Sequence, residues 1–389
     1  MNSPLSLRIA NKGVFFIAVS QFGMAFSFHC ILAFMPFYIT KISPYGPKET
    51  IVWIGLIMGA SNWVASVTAS FWGGFASRFR PKLLFELGMS VNGVLSLLLG
   101  FTDNLYLLLL LRILQGVLGG VSTIGLVLIT HLSPGERLHK DLSLYQNAMT
   151  AGQLIGPPVG AFGASLLGYK APFIFAFMVV SVFVIFCHRN VTDVSVGKKD
   201  LRSEEPFRKR VLIGWALIFI ATVHLTFLPS ILPNILKGFQ LVGDPALKSA
   251  GFIIMSYTAS AMVGNLLFSR LASRLGVRKV IQIACSVASC FVVLLILSRG
   301  VFSFTLLRMI EVSSIASVIP LTFSIFARDV SGKGIGFLNS ARFIGMAGGS
   351  LMATLTVAYS GLLTLYLLIA GFSLVTLCAF LISMRGKEV

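Results

Sequence analysis

Acidic residues are scarce in this sequence. Among 389 residues only 13 are Asp or Glu, against 31 Lys or Arg, and charged residues of both signs make up 11%. Water-soluble domains carry roughly 25% charged residues, so the chain is not built for water on all sides. Cysteine is scarce too. Cys30, Cys187, Cys285, Cys290 and Cys378 all fall in apolar stretches and none forms a CxxC pair, which argues against a disulfide framework. HExxH, a nucleophile elbow and a phosphate-binding P-loop are absent as well, so the chain is not expected to be an enzyme or to hydrolyse ATP itself.

Apolar residues are what it has in excess, at 56%. They gather in twelve segments: 13–39, 51–75, 83–101, 104–130, 143–167, 171–188, 211–236, 249–272, 279–298, 301–327, 334–358 and 361–384. Most reach the ~20 residues a helix needs to cross a bilayer core. Without water to satisfy the backbone, only helices or closed barrels can cross. These runs are too long and too uniformly apolar for barrel strands. The expected fold is an all-α integral membrane protein of twelve spanning helices, predicted helices 1 to 12. Helix 1 is too long for the apolar core of a signal peptide and no small-residue cleavage site follows it.

The net charge of +18 could suggest a nucleic-acid partner, but its distribution points elsewhere. With a cytoplasmic N-terminus, the cytoplasmic segments hold 22 Lys or Arg and the exterior loops 6. Arg112, Arg308 and Arg342, inside helices, complete the 31. This bias places both termini in the cytoplasm and favours anionic lipid as the partner. The location this predicts is the cytoplasmic (inner) membrane.

The chain also repeats itself. FASRFRPKLL (75–84) and LASRLGVRKV (271–280) lie 196 positions apart, as do Arg112-x-x-Gln115 and Arg308-x-x-Glu311. His29 and His224 are 195 apart, while Gly152 and Gly156 precede Gly345 and Gly349 by 193. Near-constant offsets indicate a duplicated six-helix unit. The expected division is an N-terminal bundle over 1–188, a charged cytoplasmic linker over 189–210 and a C-terminal bundle over 211–389. Duplicated halves around a central site are a transporter architecture. The repeated basic turns, with Arg78, Arg80 and Lys82 or Arg274, Arg278 and Lys279, either anchor topology or engage acidic groups or helix C-termini of neighbouring helices as a gate.

Three motifs carry a resemblance. Gly73-Gly74-Phe75-Ala76-Ser77-Arg78-Phe79-Arg80-Pro81-Lys82 sits in the turn between helices 2 and 3, Arg112-x-x-Gln115-Gly116 in helix 4, and Gly152-x-x-x-Gly156-Pro157-Pro158-Val159-Gly160 in helix 5. Together they resemble the major facilitator superfamily over essentially the whole chain, and within it the twelve-helix drug–proton antiporters. The resemblance implies alternating access between two pseudo-symmetric six-helix bundles, driven by a proton gradient. It implies gate or packing roles for Gly73, Arg78, Lys82, Gly152, Gly156, Pro157 and Gly160, with Arg274 the repeat's counterpart. Ser77 stands where that family has an acid and Arg80 where it has glycine, so its charge relay does not carry over.

Ionisable groups within a bilayer cost ~2.5–3.5 kcal/mol each on insertion scales, which makes each a functional candidate. The bases are His29, Arg112, His224, Arg308 and Arg342, and Glu311 is the one acid well inside a helix. Glu311 is thus the candidate for proton coupling, with Arg308 on the same helix face and Arg112 as the corresponding arginine. The alternative is a static pair needed only for folding. Polar stripes recur at helical spacing: Gln21, Ala25 and His29; Arg112, Gln115, Gly119 and Ser122; Gln146, Thr150, Gln153 and Pro157. They line either a cavity or interhelical hydrogen bonds. His29 and His224 contact substrate or protons, or pack. A metal site would need further ligands, and none is expected. Pro36, Pro229 and Pro233 are candidate kinks.

Gln21, His29, Gln115, Gln146, Gln153, His224 and Arg342 are therefore expected to line a substrate cavity. Three intramembrane arginines against one acid favour a neutral, zwitterionic or anionic molecule, and 33 phenylalanines an amphipathic one. The expected function is proton-coupled export of a small amphipathic, drug-like molecule, as in multidrug efflux. The alternatives are export of a carboxylate metabolite such as a siderophore, and proton-coupled uptake. No cofactor is expected beyond the gradient, and no partner beyond substrate and lipid; the chain is expected to act as a monomer.

Overall fold

The computed structural model describes residues 4–76, 78–133, 138–193, 209–326 and 332–384. Its helices are α1 (Pro4–Ile42), α2 (Pro47–Ala76), α3 (Pro81–Leu99), α4 (Leu105–Val117), α5 (Val121–Leu132), α6 (Leu138–Leu167), α7 (Ala171–Asn190), α8 (Lys209–Thr226), α9 (Leu228–Gly238), α10 (Asp244–Leu275), α11 (Val277–Leu294), α12 (Val301–Ile315), α13 (Val318–Phe326), α14 (Gly332–Tyr359) and α15 (Gly361–Ser383). Among the described residues there is no strand, and eleven helical stretches are long and apolar enough to cross a membrane. The twelfth crossing is α6. Its 30 residues rise roughly 45 Å at 1.5 Å each, but Gln146, Asn147, Thr150 and Gln153 make it polar. The protein is an all-α membrane protein with twelve crossing helices.

Three predicted helices are each broken in two, which is why there are fifteen among the described residues. Helix 4 breaks between α4 and α5 at Gly119 and Gly120, where Leu118 and Gly119 bond only three residues back. Helix 7 breaks at Phe227, two residues before Pro229; helix 10 breaks at Ala316 and Ser317, before Pro320. Proline has no N–H for the carbonyl four residues earlier, so the breaks in helices 7 and 10 each free a carbonyl. Pro36 and Pro233, by contrast, lie inside continuous helices.

The chain forms two compact units: Met1–Tyr38 with Val64–Asp200, and Ile39–Trp63 with Leu201–Val389. In the first, Ile17, Phe85, Met89, Val121, Leu128 and Tyr145 are core residues. Here α6 lies against α1 with backbone facing backbone. A Cβ added at Gly152, Gly156 or Gly160 would sit 2.6 Å from Phe22 O, 2.7 Å from Phe26 O or 1.8 Å from Cys30 O. Only glycine permits that approach. In the second unit, Leu217, Ile218, Val280, Ala284, Ile315 and Phe380 form the core. Gly345 and Gly349, against α8, are less tight, at 2.8 Å from Thr222 Cβ and 3.1 Å from Thr226 Oγ1. The part of α2 within this unit reaches α14 through Gly55, whose added Cβ would meet Thr354 Oγ1 at 1.8 Å.

Candidate functional site

The second unit encloses an arginine, a glutamate and a histidine with no solvent exposure. Arg308 and Glu311 stand one turn apart on α12, so the guanidinium reaches the carboxyl on one helix face. Arg308 Nη1 donates to Glu311 Oε2. The other carboxylate oxygen, Oε1, lies 2.7 Å from His224 Nδ1 on α8. Arg308 Nη2 donates to the His224 carbonyl at 2.6 Å, one of the last four carbonyls of α8, which lack partners within the helix. All three side chains are 0% exposed. The guanidinium carbon lies 4.6 Å from the ring centre of Phe227 and 5.0 Å from that of Tyr257. Removing one member of such a buried pair costs 3–5 kcal/mol, because the other charge is stranded.

The first unit repeats the geometry without the acid. Arg112 Nη1 donates to Gln115 Oε1 at 2.9 Å, again one turn along, and the guanidinium lies 5.1 Å from the Phe28 ring centre. Gln115 Nε2 donates to Asn92 Oδ1 at 3.2 Å and Ser96 Oγ at 3.0 Å. Gln21 accepts from the Tyr145 hydroxyl at 2.8 Å. Gln21, Gln115 and His224, all expected along a cavity, are therefore buried in networks within their own units. His29 bonds the Ala25 carbonyl of its own helix at 2.8 Å. His29, Gln153 and Arg342 are partly buried and Gln146 is exposed. Among the described residues Arg342 makes no hydrogen bond or ion pair, unlike Arg112 and Arg308.

The basic turns divide in the same way. Arg78 and Arg274 are exposed, Gly73 lies within α2, and Ser77 falls outside the described residues. Lys82 turns inward: Nζ donates to His188 O at the end of α7, 2.8 Å away, and lies 3.7 Å from Glu86 Oε1. Arg278 reaches Met384 O at 3.0 Å and Leu381 O at 3.1 Å, at the end of α15. Both are cations at helix C-termini, a favourable placement. Between the copies, Lys82 and Arg278 are 196 positions apart, and so are His188 and Met384. Sequence reasoning located the donors but not these acceptors, although the offset marked both. Phe227 and Tyr257 were missed because nothing distinguishes them from the chain's other aromatics.

The profile described as Major Facilitator Superfamily matches residues 16–350. The chain is similar to "Multidrug resistance protein MdtG" of Klebsiella pneumoniae, 24% identical over 380 residues, covering 93% of this chain and 90% of the relative. It is also similar to "Uncharacterized MFS-type transporter YuxJ" of Bacillus subtilis, 24% identical over 375 residues, with 91% and 95% covered. Among solved structures, a POT family peptide transporter superposes with a TM-score of 0.80 at 12% identity, over 97% of this chain and 98% of the other. A bacterial homolog of the lysosomal transporter Spinster gives 0.76 at 12% identity, over 100% and 98%. At such identities these two structures establish the fold alone.

Proposed function

Because the chain belongs to the Major Facilitator Superfamily, and is thus a membrane transporter rather than an enzyme, we propose that it exports a small amphipathic organic molecule in exchange for protons. Export is supported by relatives that carry the name multidrug resistance protein. We place it in the cytoplasmic membrane with both termini inside, on the lysine and arginine bias of its loops. Alternating access between the bundles over 1–188 and 211–389, joined by the linker over 189–210, is the mode of action this reading adopts.

The observation that carries proton coupling is the enclosed cluster of Arg308, Glu311 and His224. A carboxyl enclosed with one arginine has two alternatives. It stays ionised and paired, or it takes a proton and the pair loosens. Proton uptake then exchanges one arrangement of α8 and α12 for another, which a transport cycle needs. In everted membrane vesicles, adding substrate should collapse a preformed pH gradient in the wild type. Glu311→Gln should still exchange substrate across the membrane but no longer concentrate it. A Glu311→Gln protein that transports against a gradient would remove the assignment.

Arg342 supports a substrate with an anionic group. It stays charged, it is partly withdrawn from solvent, and no described residue compensates it. A carboxylate would supply the missing partner as a two-pronged hydrogen-bonded pair. This favours a carboxylate metabolite, such as a siderophore, among the exported molecules.

A further inference from the structure

Glu311 has no direct route to water. The side chain is 0% exposed and both carboxylate oxygens are engaged, Oε2 by Arg308 and Oε1 by His224. The Oε2 side is closed for a chemical reason. A guanidinium does not give up its proton in a protein, and Arg308 is held between Phe227 and Tyr257 and tied to the His224 carbonyl. Phe227 is itself backed by Tyr366, with ring centres 6.3 Å apart. What remains is the imidazole. Its Nδ1 meets Glu311, while its Nε2 is buried with no hydrogen-bond partner among the described residues. A buried polar atom left unsatisfied is costly, and one aimed away from the carboxyl is placed to meet a proton donor.

We propose that His224 is the proton relay of the cluster, passing protons between Nε2 and Glu311. The step balances as follows. When the bundle opens and water reaches Nε2, a hydronium ion gives it a proton and leaves as water, while the proton on Nδ1 moves to Glu311 Oε1. Glu311 is left as the neutral acid and His224 as the neutral Nε2–H tautomer. The reverse sequence releases the proton. Arg308 keeps its charge throughout, and its hold on the carboxyl loosens once Glu311 is neutral. The other charged or titratable groups of the cluster are Arg308 and Glu311 from α12, with Tyr257 from α10 and Tyr366 from α15 near those two charges. The first unit supplies an internal comparison. There Gln115, the neutral shape analogue of a protonated glutamate, stands one turn from Arg112 and accepts from it, so a folded bundle accommodates a neutral side chain at this position. Its histidine, His29, bonds its own helix instead, and the relay exists in one copy only.

The inference rests on proton coupling through Glu311, and one set of variants separates the two. His224→Asn keeps an N–H donor for Glu311 but has no second nitrogen to pass a proton through. In proteoliposomes, proton-driven substrate movement should slow by about 100-fold or more, the scale of a lost acid–base group. Substrate exchange without net proton movement should stay within about twofold, and added imidazole should restore part of the coupled rate. Coupled transport at the wild-type rate in His224→Asn overturns the relay, while an uncoupled Glu311→Gln measured beside it leaves the coupling assignment intact. Loss of exchange together with coupling also overturns the relay, by assigning His224 to folding or substrate binding. A Glu311→Gln variant that remains coupled defeats both.

Discussion

Removing the negative charge from the enclosed cluster, alone and together with its partner, separates the stability of the pair from its use. Glu311→Leu leaves the Arg308 guanidinium with 0% exposure and no carboxylate. Stranding a buried charge costs 3–5 kcal/mol. The lower end, about 3 kcal/mol, applies here, because Phe227, Tyr257 and the His224 carbonyl still face the guanidinium. The double change Arg308→Met with Glu311→Leu removes the stranded charge and fills its volume. The imidazole Nδ1–H of His224 lacks its partner in both variants; the double one in addition strands the His224 carbonyl, a loss of about 1–2 kcal/mol, less than that of the stranded charge. The double variant should therefore be more stable than the single one, even though it changes more of the protein. Thermal unfolding of the purified proteins in one detergent gives the order, and vesicle assays give the coupling. Both variants should be uncoupled. A double variant no more stable than Glu311→Leu would refute the electrostatic account of the cluster, and a coupled one would refute its role.

Two further outcomes follow from the packing and the charges. Gly160→Ala pushes a methyl to 1.8 Å from a backbone oxygen of α1, whereas Gly349→Ala meets its nearest neighbour, the Thr226 hydroxyl, at 3.1 Å. The first should lose about 1–3 kcal/mol or more by overpacking and the second much less, as read by unfolding in detergent. The reverse order would show that the helix contacts are misassigned. Arg342→Gln should raise the half-saturating concentration of an anionic amphipath by about tenfold, the equivalent of 1.4 kcal/mol, and leave a matched neutral one unchanged. Equal effects on both would sink the anion contact.

Much of the fold was legible because a bilayer allows few solutions. Long apolar runs had to be helices, and the runs could be located one by one. The breaks in helices 4, 7 and 10 were less legible, since glycine or proline permits a break without requiring one. Pro229 and Pro320 coincide with breaks; Pro36 and Pro233 do not. The Arg308–Glu311 pair could be read from its spacing, because one turn of helix suffices to join them. His224 could be singled out as an ionisable residue in an apolar helix. Its partner lies 87 positions away, a proximity that only tertiary packing creates. The polar stripes of Gln21 and Gln115 had the period of a cavity wall, but a period does not say whether a neighbour already satisfies the amide. Tyr145, Asn92 and Ser96 do so here.

The fastening of α7 by Lys82 and of α15 by Arg278 recurs with donor and acceptor displaced by the same 196 positions. A contact inherited at both ends is older than the doubling that produced two copies of it. The ancestral half-length chain would then already have closed its last helix against its own interior turn. Its descendants have since diverged only in the tool, one using a single ammonium and the other a forked guanidinium.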